Sequence, residues 1–190
     1  RNEGFSIPSN VSYVTRATAP SAADVGTAGC WHVATRAITY DYLWNEVRVK
    51  GGAYGTGFRR GDAGARSFWS FRDPAIDATL GRYDGCAAWL ADWDGSEDEL
   101  AGYIVSTVAA HDAPAKPRAL ARRQDIARFN QKEPGWRDKV RAQELAVTAD
   151  DIRALAAALA DKEPATGVCV FGGADALEAS SLDLDVTPLC

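Results

Sequence analysis

The chain has no methionine, only two histidines and no Cys-x-x-Cys pair among its 190 residues. A zinc finger or ribbon needs closely spaced Cys and His, so that class is excluded. Cysteine is also too sparse for a secreted disulfide scaffold. Cys30, Cys86 and Cys169 lie inside apolar segments and read as buried free thiols, while Cys190 is terminal. Basic charge is in deficit, with 21 Lys and Arg against 26 Asp and Glu. That balance argues against nucleic acid as a partner, because non-specific binding needs clustered cations to displace counterions. No apolar run approaches the roughly 18 residues needed to cross a bilayer, and no membrane partner is expected. The opening Arg1-Asn2-Glu3 leads into mixed residues without the apolar centre of a secretion signal, so the expected compartment is the cytoplasm. Internal repeats and low-complexity stretches are missing too, which leaves a single domain over residues 1–190. A start at Arg1, with methionine absent throughout, predicts a fragment of a longer chain.

What is present is a patterned globular sequence. Val11, Tyr13 and Thr15 alternate to one side of a strand over residues 9–15, and Pro20 ends it. Ser21 with Asp24 offers a helix cap, and residues 28–49 have helical spacing in two pieces broken near Thr39-Tyr40-Asp41. Gly51-Gly52 stops the second piece, and one of the two is expected to take a positive φ. Strands over residues 53–59 and 65–71 flank the hairpin loop Gly61-Asp62-Ala63-Gly64. Asp73-Pro74 opens a long helix with Ile76, Leu80, Tyr83, Ala87 and Leu90 on one face. Further helices follow the capping signals Ser96-x-x-Glu99 and Thr148-x-x-Asp151, and others cover residues 118–130 and 136–145. Residues 166–173 read as a buried strand closed by glycines. About four strands and six helices result, with strands early, helices in the middle and one strand late. This is the pattern of an α+β fold: a two-layer sandwich with a mainly antiparallel sheet packed by helices.

The segment from Leu43 to Phe58 carries the most chemical information. Gly52-Ala53-Tyr54-Gly55-Thr56-Gly57 has glycine enough for a phosphate cradle. A phosphate loop, however, runs strand, glycines, helix, and here the order is helix, glycines, strand. The same stretch places Arg48 on the last turn of a helix and Tyr54 at the start of the next strand. Arg and Tyr are donors without a nucleophile, suited to binding a peptide carbonyl and stabilising the charge that develops on it. On periodicity alone, a solvated Arg48 and an ordinary strand tyrosine are the default reading.

Tyr42-Leu43-Trp44-x-x-Val47-Arg48-Val49-Lys50-Gly51-Gly52-Ala53-Tyr54-Gly55 resembles the C-terminal part of the presequence-protease and falcilysin branch of the insulinase-like (pitrilysin) metallopeptidases. So do Ser70-Phe71-Arg72-Asp73-Pro74 with Thr79-Leu80, and the opening Glu3-Gly4-Phe5-x-Ile7-Pro8-x-x-Val11-x-Tyr13-Val14. The resemblance implies the last of four related α+β domains in a clamshell that degrades unstructured peptides. It implies zinc in the full-length enzyme, held in the first domain by a His-x-x-Glu-His motif and a distal Glu, with the N-terminal half of the same protease as partner and a peptide as substrate. Arg48 and Tyr54 match the family's Arg and Tyr that reach across the chamber, which makes them the candidate catalytic and substrate-binding residues.

Neither histidine begins His-x-x-Glu-His: Val-Ala-Thr-Arg follows His32 and Asp-Ala-Pro-Ala follows His111. A catalytic zinc needs about three protein ligands. Both histidines are expected to be structural, His32 on a helix face and His111 near a helix end, and this chain is expected to bind no metal and to be inactive alone. Arg118, Arg122, Arg123 and Arg128 give one helix a solvated basic face, Phe68, Trp69 and Phe71 are expected in sheet packing, and Trp89 and Trp93 are expected to pack together. A different class of function is a non-catalytic scaffold or partner subunit of such a protease. Nucleotide binding is a third.

Overall fold

A computed structural model describes residues 1–189, so Cys190 lies outside the described residues. Six strands are present: β1 (Asn2–Ser6), β2 (Ser12–Thr18), β3 (Gly55–Arg60), β4 (Arg66–Asp73), β5 (Thr166–Gly172) and β6 (Asp185–Pro188). They form one sheet in the order β3-β4-β2-β5-β1-β6. The β3–β4, β4–β2 and β2–β5 pairs are antiparallel, whereas β1 pairs parallel with both β5 and β6. The mainly antiparallel sandwich is therefore present, extended by a parallel edge that periodicity does not announce. Of β1 only Gly4 is buried, and β6 is exposed along its length, so neither shows the alternation that marks a half-buried strand. β2 begins at Ser12 instead of residue 9, and its buried side is that of Val14, with Tyr13 on the other.

Helices cover one face of this sheet. α1 (Ala28–Ala37) is capped by Thr27, whose hydroxyl accepts from Cys30 N at 3.2 Å. Asp24 caps no helix; it accepts from Trp31 Nε1 at 2.8 Å and pairs with Arg60 at 3.0 Å. The expected break near Thr39-Tyr40-Asp41 is instead a change of helix type: α1 passes into a π-helical segment, Ile38–Val49, without leaving the helical path. Its widened turn shows in Lys50 N donating to Asn45 O, five residues back, at 2.9 Å. α2 (Ile76–Ala91) starts beyond Pro74, and buried Asp73 accepts from Ser70 Oγ at 2.5 Å, Thr79 Oγ1 at 2.8 Å and Ala75 N at 3.0 Å. α3 (Glu97–His111) and α6 (Ala149–Ala154) carry the expected capping boxes. α4 (Pro117–Phe129) buries none of its residues. α5 (Trp136–Leu145), α7 (Ala156–Ala160) and α8 (Ala174–Glu178) complete the layer.

The core lies between the layers. Trp31, Val33, Ile38, Leu43, Val47, Tyr83, Leu90, Ile152 and Leu155 from the helices meet Val14, Phe58, Phe68 and Val170 from the sheet. Each such side chain contributes about 1.5–3 kcal/mol by leaving water, enough to fix which face of the sheet the helices cover. Burial also pushes the Cys30 and Cys86 thiols up to about 12. Trp89 lies against Tyr42, ring centroids 5.2 Å apart, while buried Trp93 sits over Gly95, so the two tryptophans have separate partners.

Candidate functional site

The π-helical segment packs along β3 and turns into it through two glycines with different reasons to be glycine. Gly52 has φ +81°, a left-handed conformation that side chains rarely adopt. Its N–H donates to Arg48 O at 3.0 Å, and Ala53 N donates to Val47 O at 3.2 Å, so carbonyls at the helix end are satisfied. Gly51 lies outside the left-handed region, but a Cβ there would come within 2.4 Å of Val47 O. The chain thus closes its helix and enters β3 within a few residues, with Arg48 on one side of the turn and Tyr54 on the other.

Arg48 is half-buried, and its guanidinium carbon lies 3.9 Å from the centroid of the Trp44 ring, one helical turn earlier. Among the described residues no carboxylate pairs with it, whereas Arg1, Arg16, Arg60, Arg141 and Arg153 all have acidic partners. Tyr54 is 60% exposed. Its ring meets Phe71 edge-on at 5.3 Å, and its N–H donates to Phe71 O at 3.2 Å. The Arg72 guanidinium lies 5.6 Å from the same ring. Arg72 itself has φ +50°, a strained conformation for a residue with a side chain. The arrangement offers a phenol and a guanidinium that hold no internal partner and can donate to an incoming carbonyl oxygen. Trp44 and Arg72 were not singled out by sequence reasoning. The four-residue spacing of Trp44 and Arg48 on a helix was the available signal for the first.

A second constellation joins residues that are distant in sequence. His32 Nδ1 lies 2.7 Å from Glu144 Oε1, and His111 Nδ1 lies 3.2 Å from the same oxygen. Glu144 is 1% exposed, on α5, and is held between α1 and α3. A carboxylate oxygen only accepts, so the ring nitrogens facing it are donors. The two histidines meet as a pair through a carboxylate that their positions in the sequence did not connect to them. Zinc needs about three ligands with their lone pairs free to converge. Here the facing atoms are turned on one another, and among the described residues no three His, Cys, Asp or Glu are placed to hold a metal ion. The zinc that the resemblance implies belongs to another domain, and the described residues of this chain are not placed to hold one.

Comparison with known proteins gives these features a context. A family model described as the PreP C-terminal domain matches residues 2–170. A protein named HypA from Clostridium perfringens is 40% identical over 116 residues, 60% of this chain and 12% of that protein. Presequence protease 1, chloroplastic/mitochondrial, from Arabidopsis thaliana is 36% identical over 121 residues, 63% of this chain and 11% of that protein. The chain therefore spans only a small part of the length of these relatives. Among solved structures, pitrilysin superposes with a TM-score of 0.73 at 15% identity, covering 98% of this chain and 21% of that one. A peptidase inactive domain from Pseudomonas fluorescens superposes with a TM-score of 0.66 at 13% identity, covering 90% of this chain and 43% of that one. At such identities the superpositions establish the fold, that of the pitrilysin-like peptidase domains. The family match, which covers most of the chain, establishes more: this chain belongs to the PreP C-terminal domain family.

Proposed function

We propose that this chain forms one wall of the chamber of a zinc-dependent endopeptidase that degrades unstructured peptides, and that Arg48 and Tyr54 bind the carbonyl of the peptide being cut. The observation that carries the reading is the partner-free state of both donors on either side of one capped turn. A buried ion pair would have consumed Arg48; instead an aromatic face holds the guanidinium while leaving its N–H groups free. A metal centre in another part of the longer protein supplies the chemistry of hydrolysis. The contribution of this chain is to orient the peptide carbonyl and to donate to the oxygen as negative charge grows on it.

The test is Tyr54→Phe in the longer protein that carries this chain. The ring and its contact with Phe71 remain, and one hydroxyl donor is removed. Loss of one such donor lowers kcat by about 10²–10³. An unchanged kcat/KM on peptides would return both residues to a structural role. A second reading, a non-catalytic scaffold or partner subunit, draws support from the inactive peptidase domain among the structural neighbours. Presence of His-x-x-Glu-His elsewhere in the longer protein favours the first reading; its absence favours the second.

A further inference from the structure

The helix-free face of the sheet carries a feature that neither the cap nor the carbonyl donors explain. Strand register places Phe71 opposite Tyr13, Tyr13 opposite Phe171, and Phe171 opposite Phe5. Four aromatic side chains thus stand in one row across β4, β2, β5 and β1, pointing away from the helices. The row starts beside Tyr54, whose ring contacts Phe71 at 5.3 Å, and ends where Phe5 and Phe171 stack at 4.8 Å. It is open to solvent, with Tyr13 42% exposed. It is also preformed: Phe71 lies so close over Gly55 that a Cβ there would meet its ring at 2.2 Å, and Trp69 lies similarly over Gly57 at 2.6 Å. Glycine in β3 is what lets these rings lie flat.

We infer that this row is a binding strip for large apolar side chains of the same extended peptide whose carbonyl meets Arg48 and Tyr54, an inference that rests on the function proposed above. Continuity argues for it, since a peptide seated at Tyr54 brings its neighbouring residues over Phe71. Width argues for it as well. On one side the next row is Trp69, Thr15, Cys169, Glu3 and Asp185, aromatic only at Trp69, which stacks on Phe71, and small or polar beyond it; further on lie Ser67 and Ala17. A stable interface between folded domains buries about 800 Å² per partner around an apolar centre; a band one residue deep except where Trp69 widens it beside Phe71 fits a single strand of peptide. With strands about 4.8 Å apart, the row from Phe71 to Phe5 spans about 14 Å, the length of about four extended residues. The substrate class it selects is an unstructured peptide bearing aromatic or large aliphatic residues within a few positions of the cut.

The experiment uses the longer protein and pairs of peptides that differ only in Phe or Ser within four residues of the scissile bond. In the parent, kcat/KM should favour the Phe peptide. Tyr13→Thr and Phe171→Thr replace each ring by a good strand former that suits an open face, and each should lower that preference by about 3- to 10-fold. Tyr54→Phe should slow both peptides alike and leave the preference intact. A preference unchanged in both Thr variants overturns the strip, whatever Tyr54→Phe does. An undiminished rate in Tyr54→Phe, with the preference still lost in the Thr variants, overturns the carbonyl assignment and leaves the strip. Should the Thr variants fail to fold, a peptide carrying p-benzoylphenylalanine is photocrosslinked to the parent and mapped by mass spectrometry. Attachment within β2, β4 or β5 supports the strip. Attachment only elsewhere, as when another domain covers the face, overturns it.

Discussion

Arg48 with Tyr54, and His32 with Glu144 and His111, are two clusters of chemically capable side chains that the fold treats in opposite ways. In the second, a 1% exposed carboxylate takes both imidazoles, and three helices are joined through it. In the first, the donors lie at a turn, one stacked on Trp44 and the other 60% exposed, with no acid between them. Two His and a Glu are the composition of a hydrolytic metal site, whereas an Arg and a Tyr are not. Availability separates them. Groups tied to one another through short contacts inside the protein stabilise the fold, and groups left with spare donors at the surface can act on a ligand.

The largest effect that would sharpen this contrast comes from Arg48→Lys in the longer protein. An ammonium keeps the charge but loses the planar fork and the flat face that lies on Trp44. A fall of about 10²–10³ in kcat is expected, with the melting temperature lowered by no more than about 2–4 °C, because the stacking on Trp44 is the one internal contact weakened. A variant with nearly full kcat would remove the distinction between the two clusters.

Glu144→Leu addresses the other cluster. It leaves the His111 ring nitrogen, in a side chain 8% exposed, facing an apolar group, and an unmet buried donor costs about 1–3 kcal/mol. Denaturant unfolding should show that loss, while kcat of the folded longer protein stays near that of the parent. Zinc provides the converse check: adding it to the parent chain should not raise the melting temperature, and a rise that Glu144→Gln abolishes would show a metal site after all.

These clusters also show what was legible in the sequence. The Arg48–Tyr54 turn was readable because helix spacing, two glycines and a strand lie within one short segment, and local sequence dictates local geometry there. The same holds for the capping boxes of α3 and α6 and for the apolar face of α2. Glu144 was not readable, because its partners lie 112 and 33 residues away and only tertiary packing brings them together. β1 and β6 escaped for a related reason: their stability comes from backbone pairing with strands at the far end of the chain, and little of their own surface is buried. The passage from α1 into π-helix at Ile38 leaves no mark in apolar spacing.

Gly52→Val tests the turn itself. The nearest atom to a new Cβ, Pro74 Cγ at 3.4 Å, is in ordinary contact, so the cost is conformational and not steric. A β-branched residue at φ +81° should cost about 1–2 kcal/mol. Gly52→Asn should recover much of that, since Asn tolerates the left-handed region. Equal losses for Val and Asn would mean that something other than φ demands glycine.

Trp44→Leu should give the smallest change and the finest reading of why Arg48 is available. The indole supplies a face for the guanidinium at 3.9 Å without using any of its N–H groups. Leucine keeps apolar contact at that position and removes the ring quadrupole, and at a site 41% exposed such an interaction is worth about 0.5–1 kcal/mol. Freed from the ring, Arg48 gains rotamers and meets the peptide carbonyl less often. A fall of about 2- to 5-fold in kcat/KM follows from that energy, with a drop in melting temperature of no more than about 1–4 °C. The effect should vanish when Arg48→Lys is already present, because the contact it removes is then gone. A double variant that loses the two effects independently would show that Trp44 acts on the peptide directly and not through Arg48.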